Sequence, residues 1–227
     1  MIKRKKLLNL YSGLGGNVNL LSSELYEITS VELEPNIAEV YSKLYPEHNL
    51  IIGDAHQYLI NHFKEYDIIW SSPPCQTHSK MAKATRHDLK RYTDMSLYQE
   101  ILLLMHFFKG KWVVENVKPY YDPLIKPSIE MGRHLIWSNF DISNFEIKTP
   151  GNFINTATVK GSQQLKDWLG IQYEVNLYYK GNHCPAQVLR NCVHPEMGLH
   201  IMNCLEGINV PVIKNQIDIF DVINNEV

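Results

Sequence analysis

Cysteine is scarce: the 227 residues contain four, Cys75, Cys184, Cys192 and Cys204. Four are too few to staple a chain of this length, so no disulfide scaffold is expected and a free thiol is permitted in a reducing compartment. Long apolar runs are missing as well. None approaches the ~20 residues of a membrane span, and the opening MIKRKKLLNL is too short in its apolar part for a signal peptide. A soluble, cytoplasmic protein without a membrane partner is expected. An excess of either charge is also lacking, since 22 Lys and Arg face 24 Asp and Glu for a net charge of −2. A globally basic polyanion binder is thereby excluded, and any nucleic-acid contact falls to local clusters. There is no internal repeat and no low-complexity tract.

What is present suits one sizeable globular core, with 44% of residues hydrophobic. Up to about residue 117, short apolar runs alternate with helical stretches: LLNLY and a helix from about Gly16, YEITSVE and a helix after Pro35, LIIGD and a helix near His56, DIIW and a helix around Asp94 to Phe108, then KWVVEN. Strands alternating with helices predict an α/β fold with a mostly parallel, doubly wound sheet. After residue 118 the alternation stops, and HLIWSNFDISNFEIK reads as one long or two antiparallel strands at the far edge of the sheet. SQQLKDWLG reads as a short helix closed by Gly170.

The ends of these strands carry the chemistry. IIWSSPPCQTHSK ends a strand at Pro73 and Pro74 and leaves Cys75 on a stiff turn at the carboxyl end of a sheet, where ligands of open α/β folds bind. A buried structural cysteine would read the same way taken alone. YSGLGG places glycines at 13, 15 and 16, which let the backbone turn tightly and approach a ligand, with the following helix offering free N–H groups. It is not GxGxxG and no P-loop lysine follows, so a dinucleotide or triphosphate is poorly supported. Glu32 in VELEP lies nineteen residues beyond Gly13, near the ~20-residue offset of a ribose-binding acid, or it is a strand-end carboxylate. Asp54 in GDA is placed to accept from an adenine amino group or to cap the next helix. A nucleoside ligand without a phosphate clamp points to S-adenosylmethionine. Glu115 in VVENV emerges from an apolar run, which favours a raised pKa and a proton held for donation to a ring nitrogen, or else a strand-end salt bridge.

In this order and over residues 8 to about 117, LYSGLGG, VELEP, GDA, SSPPCQ and ENV resemble the successive motifs of the DNA cytosine-5 methyltransferases. The resemblance implies a Rossmann-like methyltransferase that transfers a methyl group from S-adenosylmethionine to carbon 5 of cytosine in double-stranded DNA. It implies that Cys75 adds to carbon 6 of a flipped-out base, that Glu115 protonates ring nitrogen 3, and that Asn116 holds the loop. Cofactor contacts carry over to Tyr11, Ser12, Gly13, Leu14, Gly15 and Gly16, to Glu32 with Leu33, to Asp54 with Ala55, and to Pro73. The stretch behind the thiol, with Gln76, Ser79, Lys80, Lys83, Arg86, Lys90 and Arg91, would clamp phosphates. A solvated basic face is its alternative.

The sequence departs from the family later on. Where the family carries a glutamine and two arginines on one strand, EMGRHLIWSNF has the single Arg133, assigned to positioning the base, with His134 as a stand-in for the second arginine. Only about 40 residues separate Lys148 from Leu189, so the recognition domain is reduced or missing. The expected organisation is a catalytic domain over 1–148, a reduced recognition region or linker over 149–188, and a helix completing the catalytic domain with a polar tail over 189–227, an ending like that of short, phage-type members. His183, Cys184, Cys192, His194, His200 and Cys204 include no C-x-x-C pair, and no metal is expected. Two alternatives stand beside the DNA enzyme: a tRNA cytosine-5 methyltransferase, and the catalytic subunit of a split enzyme whose partner supplies recognition.

Overall fold

The structure is a computed structural model and describes residues 3–79, 92–150, 159–179, 182 and 184–208. Five parallel strands form its centre: β1 (Lys5–Leu10), β2 (Tyr26–Glu32), β3 (Asn49–Ile52), β4 (Ile68–Ser71) and β5 (Lys111–Val117). Two short strands, β6 (Ile129–Met131) and β7 (His134–Ser138), extend the sheet antiparallel, giving the order β3-β2-β1-β4-β5-β7-β6. The direction of growth reverses between β1 and β4, and that crevice is where an open α/β sheet receives a ligand.

Local chemistry explains the helices. Pro35 opens α1 (Pro35–Leu44) at a position that needs no N–H donor. Asp54 caps α2 (Ala55–His62) by accepting from the Gln57 N–H at 3.0 Å. In α3 (Ser96–Phe107), Leu97, Tyr98, Ile101 and Leu104 recur at helical spacing and are buried. Gly170, at φ +63°, ends α4 (Val159–Leu169). A short α5 (Gln187–Asn191) is followed by α6 (Pro195–Leu205), capped by His194.

Consecutive residues of β1 serve opposite faces, as a pleated strand requires. Leu8 and Leu10 join α2 and α3 in one apolar cluster with Trp112, Leu135 and Trp137. Leu7 joins the other, with Trp70, Val113 and Met197, Ile201 and Met202 of α6. A third cluster unites Leu14 and α1 with Leu165, Leu169, Leu177 and Leu189, so part of the stretch assigned to recognition shares a core with the β1 turn.

Two expectations change. No helix follows β1: residues 15–21 form successive tight turns, with Val18 N–H bonding Gly15 O at 3.0 Å and Leu21 N–H bonding Val18 O at 3.0 Å. These turns are pressed against the α5–α6 segment, where Gly16 meets Val193, and that packing overrides the helical pattern. The stretch beginning at His134 supplies one strand, not two, and it is not the edge. β7 lies inside β6, and after Asn139 the chain leaves the sheet, its Phe140, Ile142, Phe145 and Ile147 covering the second cluster.

Candidate active site

The strand ends at one end of the sheet gather Tyr11–Gly16 after β1, Glu32 at the end of β2, Asp54 after β3, Pro73–Cys75 after β4, and Glu115 and Asn116 at the end of β5. The β1 turn is built around backbone that most side chains avoid, with Tyr11 at φ +55° and Gly13 at φ +53°. Glu32 holds this turn, accepting from the Gly13 N–H at 2.8 Å and from the Glu34 N–H at 2.9 Å. Burial pushes the Glu32 carboxyl up, against the lowering effect of these backbone donors, and its pKa is raised.

The space beside the turn suits a nucleoside. A Cβ on Gly13 would meet nothing within 4 Å. The buried Ser12 hydroxyl has no hydrogen-bond partner among the described residues, which leaves a polar group there able to bond a ligand or a water. Leu33, 62% exposed, offers an apolar surface next to Glu32. Leu14, by contrast, is buried in the third cluster, Ala55 lies in the first, and Gly16 packs on Val193; these three shape the turn from behind. Asp54 is engaged as the α2 cap through one oxygen.

After β4, Ser72 enters a segment without regular structure that carries Pro73, Pro74 and the half-buried Cys75. Asn116 reaches across from β5 and donates from Nδ2 to the Pro73 carbonyl at 2.9 Å, and its Oδ1 accepts from the Val117 N–H at 2.9 Å. This clamps the loop onto the sheet two residues before the thiol. Behind it, the buried His78 ring bonds Tyr121 Oη at 2.6 Å and the His78 carbonyl accepts from the Tyr120 N–H at 3.1 Å. Gln76 is exposed and Ser79 half-buried beside this anchor. Lys80, Lys83, Arg86, Lys90 and Arg91 lie outside the described residues.

Glu115 is the electrostatic centre. Its carboxylate is bonded to His134 Nδ1, and His134 Nε2 in turn accepts from Arg133 Nε at 2.9 Å. Arg133 also donates to the Arg190 carbonyl of α5. Burial alone pushes the Glu115 carboxyl up, but the adjoining His134 ring with its hydrogen bond, the charge of Arg133 and a hydrogen bond from Ser72 outweigh it. The raised pKa expected from the apolar run is thus reversed: Glu115 is held below the ordinary carboxylate range. Burial was legible in the sequence, whereas the partners came from β7 and the β4 loop. Cys75 moves the other way, its thiol pushed up first by burial and then by the Glu115 charge, with Arg133 opposing.

One group escaped the sequence reading. Glu100 is fully buried and accepts from Tyr11 Oη at 2.6 Å, from Ser71 Oγ at 2.5 Å, and pairs with His56 Nδ1 at 2.9 Å. A usable signal existed, since a glutamate sits in the apolar stripe of α3 between Leu97 and Leu104. Among the described residues no group of three or more His, Cys, Asp or Glu is placed to hold a metal, and no helix is long and apolar enough to cross a membrane.

A model of the C-5 cytosine-specific DNA methylase family matches residues 5–123. The Type II methyltransferase M1.HphI of Haemophilus parahaemolyticus is 26% identical over 121 residues, covering 48% of this chain and 32% of the relative's own length. The Entamoeba histolytica methyltransferase EhMeth superposes with a TM-score of 0.52 at 12% identity, over 91% of this chain and 99% of the other. That is a likeness of fold. A mutant of Spodoptera frugiperda DNMT2 aligns at 28% identity and a TM-score of 0.35, over 50% of this chain and 36% of that one.

Proposed function

The chain belongs to the C-5 cytosine-specific DNA methylase family, has the Rossmann-like fold of S-adenosylmethionine-dependent methyltransferases, and on that premise we propose that it methylates carbon 5 of cytosine in double-stranded DNA. The observation that supports this reading is geometric: β4, β5 and β7 lie side by side, Asn116 clamps the Pro73 carbonyl two residues before Cys75, and His134, next to Arg133, bonds Glu115. A generic small-molecule methyltransferase has no use for a thiol clamped beside a buried carboxylate.

The bound cofactor supplies the electrophilic methyl group; Ser12, the Gly13 turn, Glu32 and Leu33 are the groups suited to hold its nucleoside. The resting thiol of Cys75 is protonated and must lose its proton before sulfur adds to carbon 6 of the base. Glu115 is ionised at rest, so the proton given up by Cys75 is taken up by Glu115 in the occupied site and then shared with ring nitrogen 3 as negative charge develops there. Arg133 beside both groups favours the thiolate. After methylation, loss of the carbon 5 proton and of the sulfur restores the aromatic ring and frees the enzyme. Because carbon 5 and carbon 6 lie inside the stack, the base must leave the duplex at a cost of about a few kcal/mol. The basic stretch from Lys80 to Arg91 would hold the phosphates meanwhile.

The test is a covalent trap. Protein, labelled S-adenosylmethionine and duplex DNA containing 5-fluorocytosine are run on a denaturing gel, since fluorine at carbon 5 does not leave as a proton does. A band that vanishes in Cys75→Ser supports the reading. A cofactor-binding protein that traps DNA neither alone nor with candidate partner subunits, but traps 5-fluorocytosine RNA, overturns DNA as the substrate.

A further inference from the structure

Among the described residues, Glu100 is bonded by side chains from three separate strand-end segments and by no backbone donor. Tyr11 follows β1 and begins the glycine turn; His56 lies in the first turn of α2, behind Asp54; Ser71 is the last residue of β4, four positions before Cys75. One carboxylate oxygen, Oε1, takes Tyr11 and His56, while Oε2 takes Ser71. A buried carboxylate is costly unless its oxygens are satisfied, and here all three partners are donors that an apolar residue at position 100 would leave stranded. Space-filling does not explain it, because Leu97, Ile101 and Leu104 fill the same stripe with hydrocarbon.

Tyr11 supplies the second observation. It is the only non-glycine residue at positive φ among the described residues, a conformation that an L side chain adopts only when its surroundings hold it there. The hydroxyl bond to Glu100 is such a hold, and the backbone it fixes leads directly into Ser12 and Gly13. We infer that Glu100 is a positioning residue that joins the cofactor turn to the nucleophile loop, so that occupancy beside Ser12 and Gly13 is felt at Cys75 through Tyr11, Glu100 and Ser71. The path is contiguous: three side chains, two hydrogen bonds, and the start of the β4 loop that Asn116 clamps further along. Contiguity alone does not establish coupling, so the measurement must read both ends. The inference rests on Tyr11 to Gly16 being the cofactor turn.

The experiment uses the full chain with S-adenosylhomocysteine as probe. Its affinity is measured by calorimetry, and the alkylation rate of Cys75 by iodoacetamide is followed by peptide mapping with and without the probe. The expected result for Glu100→Gln, which keeps the shape, is a near-native thermal midpoint, affinity weaker by about tenfold, and loss of the probe's effect on Cys75 alkylation. Tyr11→Phe, which removes a single bond, should give the same loss of coupling and guards against a Glu100 variant that does not fold. Wild-type affinity and intact coupling in both variants overturn the inference, as does a weakening that only tracks the unfolded fraction. If the wild-type chain fails to bind the probe, the cofactor reading falls. The joining role is then judged on Cys75 alkylation without probe, which must change in both variants or the inference fails too.

Discussion

Glu115 and His134, nineteen residues apart in sequence, meet across the antiparallel β5–β7 pair with the imidazole Nδ1 bonded to a carboxylate oxygen. The ENV motif begins at Glu115, and the residue bonded to that carboxylate is His134, the stand-in named for the family's second arginine.

Replacing His134 should make the fold less sensitive to acid, because it removes part of what acid would take away. Glu115 lies below its ordinary pKa in the folded chain, so its stabilisation is present above the unfolded value of ~4.3 and is lost as pH falls through the lowered folded value. In His134→Ala, burial pushes the carboxyl up again, so the variant is weaker at neutral pH and the gap to the parent narrows as pH falls. At neutral pH the variant should be about 1–3 kcal/mol less stable. Denaturation curves from pH 3 to 8 test both statements, and superimposable pH profiles would count against them.

Cys75 should react slowly with iodoacetamide at neutral pH, because burial and the Glu115 charge hold its pKa above the ordinary thiol value. Glu115→Gln removes the negative neighbour and should speed alkylation severalfold, since one pKa unit is about tenfold in thiolate fraction. Arg133→Met removes the opposing cation and should slow it. Opposite signs in the two variants are the diagnostic result.

Gly16→Ala should destabilise the protein. A Cβ there would lie 2.1 Å from the Val193 carbonyl oxygen and 2.4 Å from Cys192 Sγ, and the carbonyl is backbone that cannot rotate aside. Overpacking of this kind costs typically about 1–3 kcal/mol. The stability change should come with weaker binding of S-adenosylhomocysteine, because the displaced turn carries Ser12 and Gly13. A variant as stable as the parent would show that the α5–α6 segment is free to move away.

His56 should give a stability contribution that weakens on the alkaline side. Its pKa is raised, chiefly by the hydrogen bond to Glu100, against desolvation, with the Glu100, Asp54 and Asp94 charges adding to the rise. A raised histidine stabilises fully below its unfolded pKa of ~6.5, and the contribution fades as pH climbs through the higher folded value. His56→Gln should flatten the stability profile on the alkaline side of the unfolded value of ~6.5. If parent and variant lose stability in parallel there, the slope belongs to another group.

Much of this arrangement is written in local chemistry. The apolar runs ending at Leu10, Glu32, Ile52, Ser71 and Val117 are β1 to β5, and the proline and aspartate that open α1 and α2 stand where the chain places them. Parallel strands must share one polarity, so their carboxyl ends, and with them Gly13, Glu32, Cys75 and Glu115, fall at one end of the sheet whatever the details. That much the sequence determined by itself, because strand period, turn chemistry and sheet direction are set within a few residues of each position.

Tertiary structure decided the rest. The apolar setting of Glu115 pointed to a raised pKa, and only the approach of His134, Arg133 and Ser72 reversed its sign. The expected helix after Gly16 became turns because the α5–α6 segment occupies the space against it. Glu100 acquires its three donors only when α3 is laid over the ends of β1 and β4 and the start of α2. Charge interaction, steric exclusion and hydrogen bonding of this kind act through space over a few ångströms, between residues that the sequence keeps far apart.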